Sequence, residues 1–292
     1  MPMSDAMPVL PRPIADAART ALIGRVRATF NDQSRGEKPV MRSEHALFPA
    51  DSVIARVHGD VTTMMVGGIA ALLMQMLHPA TLAGVWDHSN FRTDMLGRLR
   101  RTARFIAITT YADAGSAEAA IARVRRIHSA VTGTLPDGTP YRADDPASLA
   151  WVHACEALCF LDAWIAHGEP DMSVADQERY FEEAAVVPRA LGADPVPTTR
   201  ADTIAYVQAM RPALRVDHRT RDVARRVIEA PARTIGERSV QRLATQAAID
   251  LLPDWARAMH GLRRSGLARP IVAGGVDAVA GALRWAFRTR AA

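Results

Sequence analysis

Residues 116–133, SAEAAIARVRRIHSAVTG, decide how this chain is read. Ser116 reads as an N-cap, Glu118 falls in the first turn, and Gly133 stands just past the end, so the stretch predicts one amphipathic helix. Ile121, Val124, His128 and Val131 recur at helical spacing and form a single inward stripe. A histidine at the centre of an apolar stripe is the feature to explain. The following segment carries a second one. Asp145-Pro146 is an N-cap followed by proline at the first helical position. The helix it opens runs to about His167, with Leu149, Val152, His153, Glu156, Phe160 and Trp164 on one side.

The rest of the chain follows the same pattern. Helices are expected over Ile14–Phe30, Val61–Leu77 (stopped by Pro79), Met95–Thr110, Ile235–Leu251 and Ala273–Phe287. Shorter ones open at Ser173, Thr199 and Thr220, and residues 134–145 read as a loop with Asp137-Gly138 and Pro140 as turn signals. Ala, Leu, Val and Arg dominate the composition and few segments alternate at the strand period, so the class is all-α. Residues 1–45 read as a leader with one helix, and 46–292 as the main domain, with the last helices as additions to it.

The net charge of +5 is carried by arginine, Lys38 being the only lysine. The basic residues interleave with acids, as in Arg221-Asp222 and Glu237-Arg238, so no basic stripe suited to nucleic acid forms. Cys155 and Cys159 read as buried small hydrophobes, since two thiols alone make a poor zinc site. The first residues lack the apolar core of a secretory signal, which points to a cytoplasmic protein. From Val61 to Trp86 no charged residue interrupts the chain, a length that would span a bilayer of ~20 helical residues. Gly67-Gly68 and His78-Pro79 argue instead for a buried helix, with peripheral membrane contact left open.

Of the nine histidines, His45, His167 and His218 fall at helix ends or in loops, and His58 and His260 carry no pattern. His78, His88, His128 and His153 remain. Two inward imidazoles on consecutive helices, with Arg125, Arg126 and Glu156 nearby, suit an anionic cofactor that also carries a metal. Haem has that character, because its iron takes an imidazole and its propionates take arginines. Other schemes lack their residues: there is no Glu-x-x-His pair, no His-Glu-x-x-His, no Cys-x-x-Cys and no Gly-x-Ser-x-Gly.

The stretches LLMQMLHPATLAGVWDHSNFRTDMLGRLRRT (72–102) and RVRRIHSAVTGTLPDGTPYRADDPASLAWVHA (123–154) resemble the latex-clearing proteins, or rubber oxygenases, and the MpaB-type oxygenases. The likeness covers roughly residues 50–212. It implies a globin-like helical domain around a haem b pocket. It also implies oxygenation or oxidative cleavage of a carbon–carbon double bond in a small apolar, isoprenoid-like substrate by dioxygen. Arg125-Arg-Ile-His128 would then hold the axial ligand, His128, with Arg125 and Arg126 near the propionates. Arg98-Leu-Arg-Arg101-Thr102 would line the distal side.

Two departures qualify the likeness. Rubber-cleaving members have a lysine just before the distal threonine, whereas Arg101 stays protonated and is a poor iron ligand. The sixth position is then open or taken by His78, His88 or His153. The family's distal carboxylate has no clear counterpart, and Asp87 is the nearest acid. Met64, Met65, Leu72 and Met76 could line a substrate tunnel or belong to the core. Two rival readings stand: a haem-binding sensor or carrier, and a cofactor-free helical interaction protein.

Overall fold

A computed structural model describes residues 12–31, 36–229 and 234–287. The fold is all-helical. Its centre is a pair of apolar helices, α3 (Val61–Gln75) and α7 (Pro146–His167). They approach closely because of Gly67, where an added Cβ would lie 2.8 Å from the Cys159 carbonyl oxygen and 2.9 Å from the Phe160 Cα. Buried Val66, Ala70, Leu73 and Met74 of α3 meet Trp151, Ala154, Cys155 and Cys159 of α7 in one core. Both cysteines are free and buried, as expected of small apolar side chains. Polar groups at this seam are paired: Trp151 Nε1 donates to the Gln75 carbonyl (3.2 Å), and Gln75 Nε2 donates to the Val152 carbonyl (3.2 Å).

The expected caps hold where the sequence was explicit. Asp145 accepts from the Ser148 amide at the start of α7. Ser173 and Thr199 cap α8 (Val174–Ala184) and α10 (Arg200–Met210). Elsewhere the cap shifts. Asp113, not Ser116, caps α6 (Ala114–Ser129), because its carboxylate takes both the Ser116 amide (2.9 Å) and hydroxyl (2.7 Å). Asp217 rather than Thr220 caps α11 (His218–Ile228), with Thr220 returning the bond in a capping box.

Pro79 does more than stop a helix. It opens α4 (Pro79–His88), and the bend of 105° between α3 and α4 breaks the charge-free run into two core helices. The expected loop after α6 is a small antiparallel hairpin, β1 (Thr132–Thr134) with β2 (Pro140–Arg142), closed by Gly138 at φ +88°. Short helices α2 (Val53–Val57) and α9 (Val186–Leu191) were not anticipated, since one or two turns give no periodicity to read. With α8, α2 forms a second core around Phe160, Leu161, Tyr180 and Phe181.

The C-terminal helices α11, α12 (Ile235–Leu251), α13 (Asp254–His260) and α14 (Arg269–Phe287) complete the main core through Val223, Ala247, Leu252 and Val276. At the other end of the chain, α1 (Arg12–Phe30) packs along α14.

Candidate functional site

Helix α5 (Met95–Tyr111) and α6 form an antiparallel hairpin, joined by Ala112 and Asp113. Its closed end is anchored. Thr109, Thr110, Ala117 and Ile121 are buried there, the His58 Nδ1 lies 3.0 Å from the Thr110 hydroxyl, and the Tyr111 hydroxyl donates to the Ala55 carbonyl (2.9 Å). The open end is different. Beyond Ile121 no residue of α6 is buried, and α5 packs mainly on α6, α1 and α2 rather than on α3 or α7. Along α3, every position is buried except one stripe, Val61, Met64, Met65, Gly68 and Leu72. Met64 joins Ile106 of α5 in the second core, so this stripe turns toward the hairpin. An added Cβ at Gly68 would meet only Phe160, at 3.7 Å. At that end Met95 is buried in the main core and Leu99 packs against it, which leaves the α3 stripe as a partly covered apolar wall. Met64, Met65 and Leu72 lie on that wall, whereas Met76 is core.

Arg98 and His128 lie at nearly equal distances from the Ala112–Asp113 link, so the hairpin brings them level, about 22 Å from its closed end. Asp94 caps α5, and its carboxylate takes the Gly97 amide (2.8 Å) and one guanidinium nitrogen of Arg101 (3.3 Å). Asn90 takes another Arg101 nitrogen at 3.0 Å. Arg98 has no ion pair and no side-chain hydrogen bond among the described residues. Burial, and then the charge of Arg101, lower its pKa, although a guanidinium stays protonated. A desolvated cation without a partner is costly and is a ready seat for an anion. Thr102 lies one turn beyond Arg98, its hydroxyl donating to the Arg98 carbonyl at 3.3 Å.

His128 is half-buried. Desolvation lowers its pKa, and Asp144 opposes that only in part, so the ring is neutral at pH 7. Neither ring nitrogen has a hydrogen bond among the described residues. A neutral imidazole with a free nitrogen is the form a metal takes.

The other expected residues are placed as follows. His153 is buried on α7, its pKa lowered to about 4 by burial and then by Arg189. His78 precedes α4, with Nδ1 3.4 Å from the Thr81 hydroxyl and its ring 6.2 Å from that of Trp151. His88 and Asp87 are exposed at the end of α4 and turn to the β-hairpin. His88 Nε2 lies 3.0 Å from the Thr132 carbonyl, and the Asp87 carboxylate accepts from the Tyr141 hydroxyl at 2.6 Å. Arg125 and Arg126 are exposed and border a shallow groove with Glu118 and Ala122, opposite Ala190 of α9. Ile121 of the stripe also lines that groove, whereas Val124 and His128 do not.

One residue was not singled out from sequence as a functional acid. Glu156 lies half-buried on α7 among apolar neighbours. Burial pushes its pKa up to about 7, opposed only by the Gln75 Nε2 donor at 3.3 Å. Its signal in the sequence was a carboxylate inside an otherwise apolar helix face, one turn after His153. On the far side of α7 lies a cavity of ≈ 210 Å³ reached by Cys155 and Cys159 and bordered by the Asp162–Arg200 ion pair (2.5 Å).

Among the described residues, His128 is a half-buried imidazole without a hydrogen bond and Arg98 a half-buried guanidinium without an ion pair, the kinds of group that take a haem's iron and propionates. No group of three or more His, Cys, Asp or Glu among the described residues could hold a metal. The chain belongs to the family described as ER-bound oxygenase mpaB/B'/rubber oxygenase, catalytic domain, whose model matches residues 55–285. The match reaches well past residue 212, where the motif likeness ended, and takes in the C-terminal helices that close the core. No curated protein and no solved structure matches the chain.

Proposed function

We propose that the protein is a haem-b-dependent oxygenase that adds dioxygen to a carbon–carbon double bond of a small apolar, isoprenoid-like substrate. The observation that carries the reading is the presence, on the two helices of one hairpin, of His128 without a hydrogen bond and of Arg98 half-buried and without a counter-charge. Haem, when bound, supplies a redox-active iron able to make dioxygen reactive. The chain's own groups do the rest. His128 would offer a ring nitrogen to the haem iron. Arg98 neutralises negative charge, whether of a propionate or developing on oxygen, and Arg101, fixed by Asp94 and Asn90, extends that positive field. Thr102 presents a hydroxyl on the same helix. The stripe Val61, Met64, Met65, Gly68 and Leu72 takes the apolar chain and keeps water out.

Glu156 is the acid suited to hold or release a proton near neutral pH, a role for which exposed Asp87, held by Tyr141, is less well placed. Full cleavage balances without an external reductant: both oxygen atoms enter the two carbonyl products as the double bond breaks. An apolar substrate also suits a protein that works against a membrane surface.

A second reading, a haem sensor or carrier, is favoured by His153. It is buried and has no hydrogen bond among the described residues, so it could close the sixth position. Absorption spectra of the wild type and of His128→Ala, with haem quantified in both, test the proposal. The expected result is a Soret band that the substitution removes or shifts, together with consumption of dioxygen in the presence of an isoprenoid alkene. A bis-histidine spectrum without oxygen uptake would favour the sensor. Absence of haem from both proteins after haem-supplemented expression would sink both readings.

A further inference from the structure

The chain has two unbroken helices long and apolar enough to cross a membrane, among the described residues, and they lie in opposite surroundings. Pro146–His167 is the centre of the core, 61 % buried over its apolar window, while Gly266–Phe287 is only 11 % buried. The inner side of this second segment, through Val276, Ala280 and Ala286, packs on the body of the protein. Its outer side is a continuous stripe at helical spacing: Leu267, Ile271, Gly274, Ala278, Ala282 and Trp285, all exposed. Leu267 is 102 % exposed and Ile271 74 %. Large apolar side chains held in water at both ends of the stripe, with glycine and alanine between them, are unfavourable unless something covers them.

Charge identifies the cover. The only acid of α14, Asp277, is turned to His167 Nδ1 at 2.8 Å. Arg263 and Arg269 flank Leu267 and have no ion pair among the described residues, and Arg264 lies beside them, 3.4 Å from Asp254. At the other end Trp285 carries the Arg19 guanidinium 5.2 Å from its ring. An apolar stripe with free arginines at one end and tryptophan at the other matches a helix that lies in the plane of a bilayer interface. A second copy of a chain with net charge +5 is the weaker match, because it brings like charge to the same surface.

We propose that the outer face of α14 docks on an anionic lipid surface, with Leu267, Ile271 and Trp285 in the interface and Arg263 and Arg269 on the headgroups. The helix lies flat and does not span, since its inner side belongs to the core. This deepens the membrane part of the proposed function and needs no haem, so the two stand or fall by different measurements.

The test is co-sedimentation of the full chain with phosphatidylcholine vesicles, with and without about 30 % phosphatidylglycerol. Binding to the anionic vesicles is expected, reduced by salt, and weakened at least about tenfold in the double variant Leu267→Glu/Ile271→Glu. Both side chains lie outside the core, so the thermal melt of that variant should match the wild type. Arg263→Glu/Arg269→Glu should lose the preference for anionic over neutral vesicles. No sedimentation of the wild type, equal binding to neutral vesicles, or unchanged binding by the first double variant would overturn the proposal. So would a concentration-dependent dimer that the same substitutions abolish without any vesicle binding.

Discussion

The α3–α7 pair and the α5–α6 hairpin are both helical and adjacent in the fold, yet they are built on opposite terms. In the first, most side chains are buried in one apolar core, and a single glycine sets how closely the backbones approach. In the second, most of the burial lies at the closed end, while the open end, beside Met95 and the Asp94–Arg101–Asn90 contacts, keeps a half-buried arginine without a partner and a histidine without a hydrogen bond. The difference teaches where this protein spends stability and where it withholds it. Packing supplies the fold, and the unsatisfied end of the hairpin is kept available for something that is not protein.

Substitutions should divide along that line. The largest effect is expected for Trp151→Ala, which removes a fully buried ring and its bond to Gln75. It should cost about 3–5 kcal/mol, read as a fall in the denaturant midpoint. Gly67→Val should follow at about 3 kcal/mol, because the new side chain meets backbone on α7 that cannot yield. A near-neutral result for either would mean that α3 and α7 are not packed as described.

Glu156 tests that pair through pH. Its folded pKa of about 7 lies above its ordinary value, so the fold favours the protonated form. The corresponding stability is present below the ordinary carboxylate range and is lost as pH rises through about 7. Glu156→Gln should flatten that slope between about pH 4.5 and about pH 7, the window set by the ordinary and the folded pKa. His58 acts in the opposite sense: its pKa, lowered to about 3 by burial, makes stability fall as pH drops below the ordinary histidine value. The two slopes overlap between about pH 4.5 and pH 6.5, so the Glu156 contribution is read as the difference between the wild type and Glu156→Gln, in which His58 cancels.

The smallest effect, and the most telling for the hairpin, concerns Arg98→Leu. Removing an unpartnered buried charge should leave the cofactor-free protein as stable as before or more so, by up to about 1 kcal/mol. Haem retention should fall in the same variant. A clear loss of stability without haem would show that Arg98 has a structural partner and is not a seat for an anion.

Much of this was legible residue by residue. The Asp145-Pro146 start of α7 and the bounds of α12 match their expectations, because capping and helical periodicity act within a few residues. His128 could be placed on a helix stripe for the same reason, and the motif likeness to the oxygenase family is itself a property of local spacing. The hairpin β1–β2 was missed because three-residue strands are too short for alternation to show.

What only the tertiary structure decided is which surfaces meet. The α7 and α14 segments have mean hydropathies of 1.4 and 1.2, close enough that the sequence cannot tell the buried one from the exposed one. Nor could it show that Arg98 lacks a counter-charge, that Asp87 turns to Tyr141, or that Glu156 lies deep enough for its acidity to fall. Each depends on which groups from distant parts of the chain arrive beside it. Local hydrogen bonding selects the helices of this protein, but burial, and with it charge state and site, is set by their neighbours.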